Sequence, residues 1–243
     1  MKSKNILTSL LLMAVAQTTL VQKFILTFVL LCASIASANA QLLRSEELEK
    51  YAKERYGEKW VDAATNLSTE LELDKNNALT YTQIIECPGK TKDQLYVLLN
   101  YWVSATFNDA NSVIKLNDKE NGVIICQGCM SDIAAHQSLF KLFRVSINPV
   151  IKIDIKEGKI RVTYTIQGYD LDITISSGST SVPPTRQHEK WTLDECFPFA
   201  EKDSHKKTSC KALIMTHAYS NVVMDKIEEA VKNGLVGNED DDW

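Results

Sequence analysis

The sequence lacks the features that would assign a function directly. It contains no G-x-S-x-G or H-E-x-x-H segment and no glycine loop that would cradle phosphate, so no hydrolase, zinc protease or nucleotide-binding motif is present. It lacks a basic excess, because 31 acidic residues outnumber 27 basic ones, and this disfavours nucleic-acid binding. Internal repeats, collagen-like periods, coiled-coil heptads and low-complexity segments are absent as well. An ordinary globular domain without a recognisable catalytic signature remains.

Long apolar runs are confined to the first forty residues. A basic start is followed by the runs Ile6–Ala16 and Phe24–Ala36 and by a small-residue end, Ser37-Ala38-Asn39-Ala40. This order is typical of a bacterial secretory signal, and it predicts cleavage before Gln41. Each run is shorter than the roughly 18–20 residues that span a bilayer as a helix. We therefore expect an exported protein of the periplasm, cell envelope or medium, with no transmembrane anchor after cleavage.

Two alternatives to a cleaved leader remain open. One is a single uncleaved anchor helix from Phe24 to about Ala40. The other is a lipoprotein that carries its lipid on Cys32, which Leu31 disfavours because a small residue is expected before the lipidated cysteine.

Helical periodicity marks three segments of the mature chain. Apolar residues recur every three or four positions from Ser45 to Leu67 and again from about Ser209 to Asn233. Between them, Thr91 and Gln94 stand at the spacing of a capping box and predict a helix that continues to Thr106. Residues Asp132–Leu142 form a further, weaker helix candidate.

Strand signals lie between these helices. Residues Ala78–Cys87 are rich in Thr, Tyr and Ile, and the short segments Ser112–Leu116 and Val123–Cys126 flank an Asn-Gly turn. The strongest alternation runs through residues 143–155 and resumes at 160–166, which predicts a hairpin with one buried face. The order of predicted helices and strands along the chain favours an α+β fold, in which helices pack on one face of a curved antiparallel sheet.

The strand and turn segments resemble a known family. Thr80-Tyr81-Thr82, the helix entry at Thr91-Lys92-Asp93, the turn at residues 118–124 and the hairpin at residues 153–162 are similar to a bacterial exported family of unknown function with a TATA-binding-protein-like (TBP-like) fold. The similarity extends over roughly residues 78–169. The resemblance implies a helix-grip-like curved sheet and export, and it implies no active site and no DNA binding.

The predicted domain organisation follows from these segments. Residues 1–40 form the signal peptide, 41–75 a helical N-terminal extension, 76–235 the TBP-like domain and 236–243 an acidic tail. The extension and the cysteine-bearing segment near Cys126 depart from the family pattern.

Five cysteines remain after cleavage, and an oxidising compartment permits disulfides. Cys196 and Cys210 flank a polar loop, so a bridge between them would tie the last helix to the body of the domain. Cys126 and Cys129 form a C-x-x-C sequence that suggests either a thiol-redox pair or structural thiols, one of which could bridge to Cys87. Along a continuous strand, however, the odd spacing would place their side chains on opposite faces. Zinc on these cysteines would need further ligands such as His136, so no metal or cofactor is predicted.

Three functional hypotheses follow. The leading one is a non-catalytic exported domain that binds a small apolar ligand or an envelope protein. The second is a structural subunit of an envelope assembly, docked through the apolar face of Ser45–Leu67. The third is an enzyme, either a thiol-redox enzyme that uses Cys126 and Cys129 or a hydrolase with dispersed residues.

Overall fold

A computed structural model describes residues 45–107, 110–178, 183–193 and 206–234. All of them lie in the second of two compact units, Ala40–Trp243. The predicted leader (1–40) and the acidic tail (236–243) lie outside the described residues. Within the described ranges, no helix is long and apolar enough to cross a membrane.

The described elements are five helices and nine strands. The helices are α1 (Ser45–Tyr56), α2 (Trp60–Ser68), α3 (Lys92–Thr106), α4 (Ala110–Val113) and α5 (Lys206–Asn233). The strands are β1 (Leu79–Glu86), β2 (Ile114–Asp118), β3 (Val123–Gln127), β4 (Met130–Gln137), β5 (Lys141–Ile147), β6 (Val150–Lys156), β7 (Lys159–Ile166), β8 (Gly168–Ile175) and β9 (Thr185–Thr192).

The strands form two antiparallel sheets that are two halves of one bent surface. The five-stranded half has the order β1-β7-β6-β3-β2, and the four-stranded half has the order β4-β5-β8-β9. The chain passes from β3 to β4, from β5 to β6 and from β7 to β8 after only one or two residues. Each of these three strand pairs acts as one long strand that crosses from one half to the other, and their order is the same in both halves. The predicted curved sheet therefore bends along one line.

Two glycines serve this bend. The Gly128 amide donates to the Pro149 carbonyl at 2.9 Å and so links the two continuing strands where the sheet turns. At Gly168, a Cβ atom would lie 2.5 Å from the Trp191 carbonyl oxygen, a distance that real side chains do not tolerate. Any larger residue there would have to push β8 and β9 apart.

Helix α5 fills the inner face of the sheet. Its predicted apolar stripe is buried as expected, and the alternation in β6 and β7 buries Ile151, Ile153, Val162 and Tyr164. Each such side chain contributes about 1.5–3 kcal/mol when it leaves water. The α+β class, with antiparallel strands and helices on one face, is therefore confirmed.

Two helix predictions differ from the structure. The segment Ser45–Leu67 is two helices, because Gly57 adopts a φ of +96° and separates α1 from α2. The helix suggested for Asp132–Leu142 is wrong, since these residues form most of β4 and its turn into β5. Pairing with β5 overrides the weak local preference of this segment.

Candidate functional site

Helix α5 meets β1 and α1 along a line of polar side chains. The polar seam, as we name it, consists of Tyr56, Tyr81, Gln83, His217, Asn221 and Glu228. These residues come together because inward-facing positions of β1 lie opposite positions of α5 that recur at helical spacing.

One end of the polar seam is centred on His217. Its Nδ1 lies 3.2 Å from the Tyr81 hydroxyl, and the edge of its ring meets the Tyr56 ring at a centroid distance of 5.3 Å. Asn221 Nδ2 donates to the Tyr56 hydroxyl at 2.8 Å. The imidazole and both phenols therefore have a partner within the fold.

Burial keeps this end of the seam uncharged. Burial, together with the smaller effect of the nearby positive charge of Arg55, lowers the pKa of His217 from 6.5 to about 4. Burial also raises the pKa of Tyr81 far above its ordinary value. At neutral pH the site holds a neutral imidazole and a protonated phenol.

The other end of the polar seam leads to the surface. Gln83 Nε2 donates to Glu228 Oε2 at 2.7 Å, and Glu228 is also paired with Lys232 in the last turn of α5. The hydrogen bond from Lys232 is the main reason that the pKa of Glu228 is lowered. Lys232 also lines an open surface groove.

This groove has a volume of about 1030 Å³. We use the word groove below for the surface lined by Pro88, Gly89, Lys90, Asp93, Gln94, Val97, Leu98, Tyr101 and Lys232. Val97 is 64% exposed and Tyr101 is 54% exposed, although both are apolar. They stand one turn apart on α3 and so share one face of that helix.

Local sequence signals position the groove walls. The capping box predicted at Thr91 and Gln94 is present, with Gln94 N donating to Thr91 Oγ1 at 3.2 Å and Thr91 N donating to Gln94 Oε1 at 2.9 Å. It fixes where α3 begins. Just before it, Gly89 adopts a φ of +83°, which allows the chain to turn sharply out of β1 into the groove rim.

Cationic side chains border the apolar part of the groove. Asp93 is engaged by Lys119 at 3.5 Å, and Lys232 shares Glu228 with Gln83. Among the described residues, no carboxylate lies within 4 Å of the Lys90 ammonium group. The groove thus combines exposed apolar surface with one positive charge that has no carboxylate partner.

The predicted cysteine sites are dispersed in the structure. Cys126 is buried in β3, and burial raises the pKa of its thiol to about 11, whereas Cys129 is exposed just before β4. A redox nucleophile needs a lowered pKa, because the thiolate is the reactive form. The buried thiol therefore does not have the character of an activated nucleophile.

The bridge suggested between Cys87 and either Cys126 or Cys129 is not formed, and all three residues are thiols. The sheet order explains this, since β7 and β6 separate β1 from β3. Three strand spacings amount to roughly 14 Å, well beyond the Cα separation of a disulfide. Cys210 is buried in α5, and Cys196 lies outside the described residues, so the bridge between those two stays a prediction. Across the described ranges, no group of three or more His, Cys, Asp or Glu side chains is arranged to hold a metal ion.

The sequence analysis identified neither the exposed apolar residues of the groove nor the buried histidine of the polar seam. Val97 and Tyr101 are apolar residues that lie off the buried stripe of α3, and that pattern could have identified them. His217 lies within the periodic segment of α5, but its sequence context does not show whether it is buried. Its burial depends on Tyr56 and Tyr81, which come from distant parts of the chain, so no local signal indicated it.

Comparisons with known proteins agree with the fold. Residues 81–169 match the model of a family described as a domain of unknown function (DUF4468) with TBP-like fold, which confirms the predicted resemblance. The comparison with curated proteins gave no match.

Two solved structures are similar to this chain. A TBP-like protein from Parabacteroides distasonis is 12% identical, with a TM-score of 0.44, and the alignment covers 65% of this chain and 95% of that one. A DUF4468 family protein from Bacteroides ovatus is 16% identical, with a TM-score of 0.43, and the alignment covers 65% and 90% of the two chains.

Proposed function

We propose that this chain, whose residues 81–169 match a TBP-like domain of unknown function, is an exported, non-catalytic binding module. Its ligand is a segment of an envelope protein that presents apolar side chains and a carboxylate to the groove. The observation that carries the proposal is the exposure of Val97 and Tyr101 side by side in a concave surface.

Exposed apolar surface of this kind favours a protein partner. Large apolar side chains that lie together in a groove, rather than scattered singly, are typical of interaction sites. Tyrosine is among the residues that most often dominate binding energy at interfaces. Because Val97 is 64% exposed and Tyr101 is 54% exposed, covering the remainder would contribute roughly 1–2 kcal/mol for each side chain. Because the groove is open to solvent, it suits a protein segment better than an enclosed small apolar molecule.

The positive charge of Lys90 indicates that the partner segment also carries a carboxylate. Lys90 stands at the rim without a carboxylate partner among the described residues. A carboxylate on the incoming segment would pair with it, and such pairing sets orientation and association rate more than affinity.

The structure weakens the basis of the alternative in which Ser45–Leu67 docks into an assembly. The apolar faces of α1 and α2 are already covered, since Leu48 and Ala64 are both 0% exposed. These helices pack on α5, and the Lys211 ammonium lies 2.6 Å from the Glu49 carboxylate. The helical extension therefore stabilises this chain instead of presenting an unused surface.

Site-specific photocrosslinking in the native cell tests the proposal. A benzoylphenylalanine at position 97 or 101 should form an adduct with one envelope protein. Peptide mapping should locate the adduct in an apolar segment that contains Asp or Glu. A probe at Ile84, which is 62% exposed on β1 and lies outside the groove, is the matched control.

The proposal is judged by comparing the adducts formed at positions 97 and 101 with those formed at position 84. Lys90→Glu should weaken the adducts at 97 and 101 and leave any background at 84 unchanged. Equal labelling at all three positions, or no adduct at 97 and 101, would overturn the proposal. Export is tested in the same cells, because a cytoplasmic location of the chain would exclude an envelope partner.

A further inference from the structure

We propose that the turn between β4 and β5 docks this chain on the surface of a bilayer that contains anionic phospholipids. Leu139 and Phe140 in this hairpin turn, residues 138–140, enter the lipid interface, and Lys141 and Arg186 beside it pair with lipid phosphates. The site is separate from the groove, and the inference does not rest on the proposed function. Exposure, backbone geometry and charge at the hairpin turn carry it.

The first observation is the exposure of the hairpin turn. Leu139 is 86% exposed and Phe140 is 48% exposed, so two large apolar side chains that are adjacent in sequence stand in water. The turn joins two paired antiparallel strands and therefore projects from the end of the four-stranded half of the sheet. A projecting pair of apolar side chains can enter the boundary between lipid headgroups and acyl chains, where it leaves water.

The second observation is that the backbone of the hairpin turn is fixed. Ser138 N donates to the Lys141 carbonyl at 2.8 Å, and Ser176 N donates to the Phe140 carbonyl at 2.8 Å. The Phe140 ring lies against Gly178, where a Cβ atom would come within 2.9 Å of the ring. Because this backbone is already ordered, little conformational entropy is lost when the two side chains enter lipid.

The third observation is the charge beside the hairpin turn. Lys141 is paired across the sheet with Ile175, and Arg186 is paired with the adjacent Thr174. Side chains of successive residues alternate, so the two cations stand on opposite faces of the sheet near its end. Within the described ranges, no carboxylate lies within 4 Å of either cationic group. Exposed lysine and arginine side chains next to a bilayer are attracted by anionic headgroups.

The hairpin turn and the groove lie at opposite ends of the continuing strands. The turn precedes β5, whereas β6 ends beside the groove, where Gly158 N donates to the Lys90 carbonyl at 3.0 Å. Residues 141–156 of β5 and β6 follow a path of roughly 50 Å, at about 3.3 Å per residue. The groove therefore stays uncovered when the hairpin turn contacts lipid.

Position-specific quenching in vesicles tests the inference. The predicted mature chain, residues 41–243, carries either Leu139→Trp or Ile84→Trp, and both positions are exposed. Each variant is mixed with vesicles of phosphatidylcholine and phosphatidylglycerol that have brominated acyl chains. The unsubstituted chain supplies the fluorescence of the native tryptophans, which is subtracted. We expect at least twofold quenching of the added tryptophan at position 139 and none at position 84. Equal quenching at both positions, or none at 139, would overturn the inference.

Cosedimentation with the same lipids, unbrominated, measures how much each side chain contributes to binding. Leu139→Ser should lower the partition coefficient roughly tenfold, because the leucine no longer transfers from water into the interface. Ile84→Ser is the matched control and should stay within twofold of the native chain. All substitutions lie at exposed positions, so an unchanged thermal midpoint shows that the fold is retained. An equal loss for the two variants would mean non-specific adsorption and would refute docking through the hairpin turn.

Charge reversal tests the choice of anionic lipid. Lys141→Glu combined with Arg186→Glu should weaken binding to vesicles with phosphatidylglycerol at least threefold, and high salt should weaken binding of the native chain. The combined variant should bind pure phosphatidylcholine as the native chain does. Lys159→Glu, at an exposed position beyond the other end of the strands, is the control. Undiminished binding of the combined variant to anionic vesicles would contradict the inference.

Sedimentation equilibrium without vesicles separates a lipid surface from a second copy of the chain. A native chain that stays monomeric supports docking on lipid. A dimer that forms with the native chain and is absent with Leu139→Ser would show that the hairpin turn packs on another copy, and the inference would fail. The groove is not involved in these measurements, so their outcome is independent of the photocrosslinking result at positions 97 and 101.

Discussion

Helix α5 contributes to two contrasting regions, since it supplies three residues of the polar seam and one residue, Lys232, of the groove. In the polar seam, His217, Asn221 and Glu228 each have a hydrogen-bond partner from β1 or α1. In the groove, apolar side chains face water, and Lys90 has no carboxylate partner among the described residues. A region whose groups satisfy one another stabilises the fold, whereas a region with uncovered apolar surface and unbalanced charge can gain free energy from a ligand. The contrast is the reason that we attribute stability to the seam and propose binding at the groove.

The largest expected difference comes from one Tyr→Ala substitution in the core that lies beside the polar seam and another in the groove. Tyr219 on α5 is 2% exposed, and its ring packs on Tyr164 at a centroid distance of 6.5 Å. We expect Tyr219→Ala to lower the free energy of unfolding by about 3–5 kcal/mol, since it leaves a cavity in the core. Tyr101→Ala in the groove should change it by no more than about 0.5 kcal/mol. Urea denaturation measures both values, and similar losses at the two positions would refute the contrast.

The second effect is a pH dependence that belongs to the seam. Because the pKa of His217 is about 4 in the folded chain and 6.5 ordinarily, the unfolded chain takes up a proton first as the pH falls. The stability contributed by neutral His217 is complete above pH 6.5 and is lost between pH 6.5 and 4. This difference between the two pKa values corresponds to about 3 kcal/mol in the free energy of unfolding.

The control for this prediction is His217→Asn, which cannot titrate. The carboxylates with lowered pKa values, such as Glu49 and Asp154, also lose stabilising charge in acid, but they do so in both proteins. The difference in unfolding free energy between the native chain and the variant should therefore shrink by about 3 kcal/mol from pH 7 to pH 4. A difference that is constant with pH would mean that the imidazole is solvated rather than buried.

Those parts of the fold that depend on local pattern were predictable from the sequence. The alternation of Ile151, Ile153 and Ile155 and the capping box at Thr91 both involve residues close in sequence, and both are confirmed. Strand β9 was missed because Arg186, His188 and Lys190 are all exposed, so the strand carries no alternation. Strand β4 was missed because its register shifts near Asp132, whose φ of +56° interrupts the period of two.

The candidate site was less predictable than the fold. The groove forms where Lys90, Val97 and Lys232 converge from a loop and two helices, and the chain distance between Lys90 and Lys232 conceals that convergence. The bend of the sheet is hidden for a similar reason. Strands β5 and β6, and likewise β7 and β8, alternate on both sides of the bend, so their sequence pattern does not reveal where the bend lies.

A smaller effect probes a single hydrogen bond of the seam. Asn221→Ala removes the donor to the Tyr56 hydroxyl. Since both groups are half-buried, we expect a loss of about 1 kcal/mol in the free energy of unfolding. Asp225→Ala, at an exposed position of the same helix, is the control and should stay within about 0.5 kcal/mol. Equal effects of the two substitutions would show that water replaces the lost bond without cost.

The smallest expected effect is a change in the free energy of unfolding when an exposed β-branched residue is replaced by alanine, and its sign differs between a helix and a strand. Val97 lies in helix α3 and Ile84 lies in strand β1, and neither is covered by the described residues. In a helix, alanine is favoured over valine, so Val97→Ala should raise the free energy of unfolding by about 0.5 kcal/mol. In a strand the preference is reversed, so Ile84→Ala should lower it by a few tenths of a kcal/mol, roughly. A loss of more than about 1 kcal/mol for Val97→Ala would mean that Val97 already packs against the domain. The groove would then offer no apolar surface at Val97 for a ligand to cover.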